Sequence, residues 1–166
     1  MGFGALADMN TPAQLVSDIT AVAITLTVND KTSLFVLLAD DGTVNRRGTG
    51  SEDNEENELF IGRTDPPLLP ILLNDLTDEM LQFTGAYDVA QKRGARCTLT
   101  ITLRFSDGHE DGFVIDYGSQ SEGPPRELAQ LVSSAVSLTE PWYEEQKRFV
   151  ATTQVRQQKM PWWRFW

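Results

Sequence analysis

From Cys97 to Phe105 apolar and polar residues alternate without a break: Cys97, Leu99, Ile101, Leu103 and Phe105 fall on one side, Thr98, Thr100, Thr102 and Arg104 on the other. Successive strand side chains point to opposite faces, so this run predicts a strand with one dry and one wet face. "AVAITLTV" repeats the pattern through Val22, Ile24, Leu26 and Val28, and Asn29-Asp30 behind it reads as a turn. "SLFVLLADDGTVNRRG" reads as a strand, a tight Asp41-Gly42 turn and a return strand, since such pairs supply the positive φ angles that hairpins need. "LFIG" at 59–62 returns to the sheet, and "FVIDYG" at 113–118 closes a second hairpin behind "SDGHEDG". Strands with one wet face belong to an antiparallel sheet covered on one side.

A different periodicity separates these runs. Thr11 as cap and Pro12 at the first helical position predict a short leading helix over 12–18. Asp65 and Pro66-Pro67 mark a second helix start, and Leu68, Leu69, Leu72, Leu73, Leu76, Met80 and Leu81 recur at helical spacing as a core stripe. Pro70 displaces or kinks that start, Gly85 ends the helix, and "AYDVAQKRGA" is left as a linking loop. Pro124-Pro125 opens another helix with Leu128, Leu131, Val132 and Ala135 on one face. Thr139-Glu140-Pro141 starts a last helix, with Glu144 and Glu145 placed before Arg148. It runs at most to Lys159, because Met160 precedes Pro161 and α conformation is disfavoured there. The expected fold class is α+β: a two-layer sandwich with a mainly antiparallel sheet, helices on one face, a possible repeated ββα unit, a C-terminal helix and an extended tail. The corresponding division is an acidic α+β domain over 1–138, a helix over 139–159 and an aromatic tail over 160–166.

Length and composition narrow the class without naming an activity. The chain has 166 residues, 40% of them hydrophobic and 23% charged, which suits one ordinary globular domain with a real core. The single cysteine, Cys97, has no intramolecular disulfide partner and sits in the strand pattern as a buried structural thiol. The first residues lack the basic start and apolar run of a signal peptide, Leu6 breaks the myristoylation pattern, and no apolar stretch is long enough to span a bilayer. The expected location is cytoplasmic.

Charge is distributed unevenly. Lys147, Arg148, Arg156, Lys159 and Arg164 stand among residues 147–166 without an acid, a local +5; the chain's net −10 therefore leaves −15 on residues 1–146. Such a body repels nucleic acid and anionic membrane within a Debye length of about 8 Å. Glu52, Asp53, Glu55 and Glu56 lie in "GTGSEDNEENE", which reads as an exposed acidic loop. The sequence then closes on "KMPWWRFW", where Trp162, Trp163, Arg164, Phe165 and Trp166 concentrate the residue types that dominate interface hot spots.

Candidate chemistry is sparse. His109 lies among Asp107, Glu110 and Asp111 in a polar turn, with no Ser, Cys or Lys tied to it as a nucleophile. One histidine beside adjacent carboxylates lacks the separated ligands of a zinc or iron site, and the acidic loop lacks the spacing of a calcium loop. "RRGTGSED" has a G-x-G with acids where a phosphate would sit. Asp116 with Glu122 is a conceivable dispersed carboxylate pair, but nothing in their spacing marks them out. No cofactor, metal site or catalytic residue is assigned. The sequence supports a non-catalytic accessory or adaptor protein docking to another protein, or to its own copy, through 162–166; the opposing reading is that the tail folds back and plugs an apolar groove of its own acidic domain. Two alternatives are an acidic inhibitor or immunity-type protein masking a basic site, and membrane-surface association through the basic aromatic tail. Nucleic acid is the weakest partner.

Overall fold

The computed structural model describes residues 14–159, with side chains through Thr153. Seven strands form one sheet: β1 (Ile19–Val28), β2 (Lys31–Ala39), β3 (Thr43–Gly48), β4 (Phe60–Arg63), β5 (Gly85–Asp88), β6 (Arg96–Phe105) and β7 (Glu110–Gly118). Their spatial order is β4-β3-β2-β1-β6-β7-β5. Every pairing is antiparallel except β5 with β7. The β1–β2 turn is made by Asn29 and Asp30, both left-handed at φ 51° and 66°, a conformation their short polar side chains tolerate.

Alternation sorts the sheet into its two faces. Val22 and Ile24 of β1, Leu34, Val36 and Leu38 of β2, Leu99, Ile101 and Leu103 of β6, and Phe113 and Ile115 of β7 are buried on one side. The helical segments pack there, as expected of a two-layer α+β sandwich. The register places Thr25 beside Phe35 and Thr100, and Ala23 beside Leu37 and Thr102, on the other side, where none of these side chains is fully buried.

The helices depart from expectation in three places. Ahead of β1 only a 3₁₀ turn, Val16–Asp18, is formed within the described residues, and the strand begins at Ile19. The helix expected after Asp65 is broken up. It becomes α1 (Leu69–Leu72), a 3₁₀ turn over Leu73–Asp75 and another over Met80–Phe83, with Leu68 rather than Asp65 at the cap position. Pro70 lies in its first turn, and polar side chains compete with helical bonding beyond it: the Thr77 hydroxyl accepts from the Met80 amide at 3.3 Å, and Asp78 accepts from the distant Val16 amide at 2.8 Å. The leucine stripe still enters the core through Leu69, Leu72, Leu76 and Leu81.

The largest correction concerns Pro141. The two helices expected after Pro124-Pro125 and at Thr139-Glu140-Pro141 are one, α2, running from Arg126 to Lys159 with Pro141 inside it. Proline has no N–H to give to Ser137 one turn earlier, and normally ends or kinks a helix. Here the buried stripe passes straight across it. Leu128, Leu131 and Ala135 precede Pro141 and Tyr143 follows, all buried, while Pro141 itself faces solvent. Packing against the sheet on both sides outweighs the local penalty. The expected boundary between 138 and 139 therefore falls within continuous helix. Glycine is required where β4 meets α2: a Cβ on Gly62 would lie 2.7 Å from Cζ2 of Trp142.

Leu131 is fully buried at the centre of the α2 stripe. Leu131→Ala removes those methyl groups and leaves a cavity, so denaturant unfolding should report a loss of about 2–5 kcal/mol. A loss below about 1 kcal/mol would contradict the helix-on-sheet packing.

Candidate functional site

Two features stand out from the ordinary core. One is a polar cluster that pins α2 to the sheet; the other is an open groove at the opposite end of the same helix.

The cluster grows from the alternation of β3. Val44, Arg46 and Gly48 share the covered face, so a guanidinium is carried under α2. Arg46 is 1% exposed, and a charge there is tolerated only if its donors are matched. Its Nε donates to the Gly48 carbonyl at 3.0 Å; one terminal nitrogen donates to the Thr139 hydroxyl at 2.9 Å and the Val136 carbonyl at 3.3 Å, and the other pairs with Glu140 at 3.1 Å. Its plane also lies 4.4 Å from the centre of the Tyr143 ring.

Tyr143 links this arginine to the acidic loop. Its hydroxyl accepts from the Gly48 amide at 3.1 Å and donates to Glu56 at 2.6 Å, while Lys147 contacts Glu56 at 2.9 Å and Glu144 at 2.7 Å. The hydrogen bonds from Tyr143 and Lys147 hold the Glu56 carboxyl below its usual value. Burial, with the Glu56 bond second, pushes the Tyr143 phenol up to about 12. The acidic loop therefore divides. Glu52, Asp53 and Glu55 are exposed as expected, but Glu56 is engaged as a structural anion against α2.

The groove, of about 1110 Å³, opens between the Met80–Phe83 turn, edge strand β5, the inner face of β7 and the first turns of α2. Met80, Phe83, Tyr87, Phe113, Ile115 and Leu128 line it with apolar surface. Phe83 is 60% and Tyr87 46% exposed, unusual for large rings unless something covers them. Asp75, Glu79, Asp88, Glu122 and Glu127 line the same groove with one guanidinium, Arg126, and Asp88 is paired with Lys92. Gly85, at φ 145°, turns the chain from the 3₁₀ segment into β5, whose Tyr87 stands beside Ile115 in register. The sequence pattern does not reveal this site, because 86–95 reads as a loop. Tyr87, Asp88, Val89 and Ala90 all line the groove, so no alternation marks this strand in the sequence.

The other candidates remain dispersed. His109 caps the β6–β7 turn, stacked on Phe105 at 4.6 Å and hydrogen-bonded to Asp107 and Gln14; Asp107 is held low chiefly by the His109 backbone amide. Cys97 is buried, and burial, with Glu52 second, pushes its thiol up, away from the reactive thiolate. Asp116 accepts from Thr98 at 2.5 Å, whereas Glu122 lines the groove; the groove lining does not include Asp116. Among the described residues no group of three His, Cys, Asp or Glu side chains is placed to hold a metal ion. No helix among them is long and apolar enough to cross a membrane. Trp162, Trp163, Arg164, Phe165 and Trp166 lie outside the described residues. No protein-family model, curated protein or solved structure matches the chain.

Because the Glu56 carboxyl is depressed in the folded state, its contribution is present above the ordinary value of 4.5 and disappears as pH falls through the lower folded value. Glu56→Gln should therefore lower Tm at pH 7, and the gap to wild type should narrow as pH falls below 4.5 and close once pH is under the lowered folded value. Melting curves over that pH range check this; a pH-independent gap would mean that Glu56 acts by shape alone.

Proposed function

We propose that this is a non-catalytic interaction protein, an accessory or adaptor subunit, which docks to another protein through Trp162, Trp163, Arg164, Phe165 and Trp166. The observation that carries this reading is the course of α2. Among the described side chains, which end at Thr153, the last buried one is Tyr143; Arg148, Phe149, Ala151, Thr152 and Thr153 are exposed, Phe149 by 70%. The helix nevertheless continues to Lys159. At 1.5 Å per residue it carries the chain about 24 Å past Tyr143. An aromatic, basic segment at the end of such a rod is suited to reaching a partner and poorly suited to plugging the domain it leaves.

The acidic-inhibitor reading draws support from Glu52, Asp53 and Glu55, which are exposed together, but it must do without Glu56, already paired with Lys147. Membrane-surface docking has only the +5 segment in its favour, opposed by the −15 on residues 1–146. A proteinaceous partner asks least of the rest of the molecule.

Removing residues 160–166 should abolish recovery of the partner in a quantitative pull-down and leave Tm close to that of the full chain, because the core from Ile19 to Tyr143 stays intact. Trp163→Ala with Trp166→Ala should reproduce most of the loss, as aromatic anchors do. Unchanged recovery with either protein would overturn the proposal.

A further inference from the structure

We propose that the groove between β5 and the start of α2 is the receptor for residues 160–166 of a second copy of this chain, so that copies associate head to tail. The inference rests on the tail-docking reading above and gives it a partner. Three observations converge on it.

The first is chemical fit. The segment supplies three Trp and one Phe with Arg164, preceded by Lys159, and no acid. The groove offers exposed Phe83 and Tyr87 over an apolar floor, bordered by five carboxylates, of which Asp88 is paired with Lys92, and one arginine. Aromatic rings against an apolar floor, with cations reaching acids at the edge, reproduce the dry centre and polar rim of a protein interface.

The second is size. Four large rings bury about 150–250 Å² each, or about 600–1,000 Å² on the tail side. The groove's lining is smaller than this, so it seats one or two of those rings as a peptide-scale contact below the standard interface size. The 1110 Å³ groove exceeds the roughly 300–1,000 Å³ of small-molecule pockets and suits a peptide.

The third is reach, which excludes the molecule's own tail. Gln130 is the last groove residue on α2, and the helix continues to Lys159, about 44 Å further along its axis. Seven residues, 160–166, span at most about 25 Å when fully extended. A bend at Pro141 cannot close that gap unless the helix folds back on itself, and α2 is continuous there. Tail and groove therefore meet only between molecules. The contact is heterologous, and it produces open chains or closed rings rather than two-fold dimers.

The test uses complementary full-length variants. Phe83→Asp disables the groove at a side chain that is mostly exposed; Glu79→Lys with Glu122→Lys reverses two exposed rim charges and guards against a folding defect. Trp163→Ser with Trp166→Ser disables the tail. In sedimentation velocity the wild-type mass should rise with concentration, and each variant should stay monomeric to at least tenfold higher concentration. An equimolar mixture of a groove variant and the tail variant should form a dimer and nothing larger, since each supplies the half the other lacks. A labelled peptide of residues 159–166 should bind the tail variant, bind at least tenfold more weakly when Phe83→Asp is added, and weaken as salt is raised. Undiminished association of both groove variants, or a mixture that stays monomeric, would overturn the inference. So would a monomeric wild type that still recovers a different protein through its tail, an outcome that leaves the adaptor proposal standing. If the tail variant loses neither self-association nor partner recovery, both proposals fall.

Discussion

Everything distinctive about this molecule depends on where α2 is fastened to the sheet, and that is set by a guanidinium with almost no contact with water. Desolvating Arg46 is costly unless its donors are satisfied, and its partners come from two elements: Gly48 on its own strand, and Val136, Thr139 and Glu140 on the helix. Sliding α2 by one turn would keep much of the apolar contact, because leucine packs about as well one turn away. It would leave the guanidinium buried and unmatched. The polar cluster thus fixes a register that hydrophobic burial alone specifies loosely.

The same contact explains how a proline survives inside a long helix. Thr139 returns its hydroxyl proton to the Ala135 carbonyl at 2.7 Å while accepting from Arg46, so the turn before Pro141 is tied to the sheet. Tyr143, two residues beyond it, is held by Gly48 and Glu56 and meets the Phe60 ring edge-on at 5.7 Å. Both sides of the weak point are anchored. The helix crosses it as a rigid body and leaves the sheet at a defined place.

Strand positions were legible in the sequence because a one-sided sheet writes its burial as alternation, and Cys97 to Phe105 shows this best. Two kinds of information were not legible. Local signals at Asp65-Pro66-Pro67 and Thr139-Glu140-Pro141 were sound as local chemistry, yet α1 is one turn long and Pro141 is mid-helix, since tertiary packing decided both. Arg46 and the groove were hidden for a different reason. Counting by twos from Val44 puts Arg46 on the covered face, but a charged residue in "VNRRG" looks like hairpin surface until its partners, about 90 residues away, are brought together. Likewise β5 is four residues long and pairs in parallel with a strand that comes after it in sequence, so no hairpin turn announces it.

Charge then decides which association the geometry permits. Two bodies each carrying −15 repel at close range, which disfavours side-by-side packing of their acidic surfaces. The α2 rod changes that balance. It carries the chain at Lys159 about 24 Å beyond Tyr143, roughly three Debye lengths at physiological salt. Body-to-body repulsion is largely screened at that separation, while the proposed contact of Arg164 or Lys159 with the groove's carboxylates would act at short range and be screened far less. Since the tail cannot reach the groove of its own chain, no intramolecular complex competes for either half. On the proposed head-to-tail reading, a long helix pinned by Arg46 at one place separates the two complementary surfaces within a molecule and leaves both available to a neighbour.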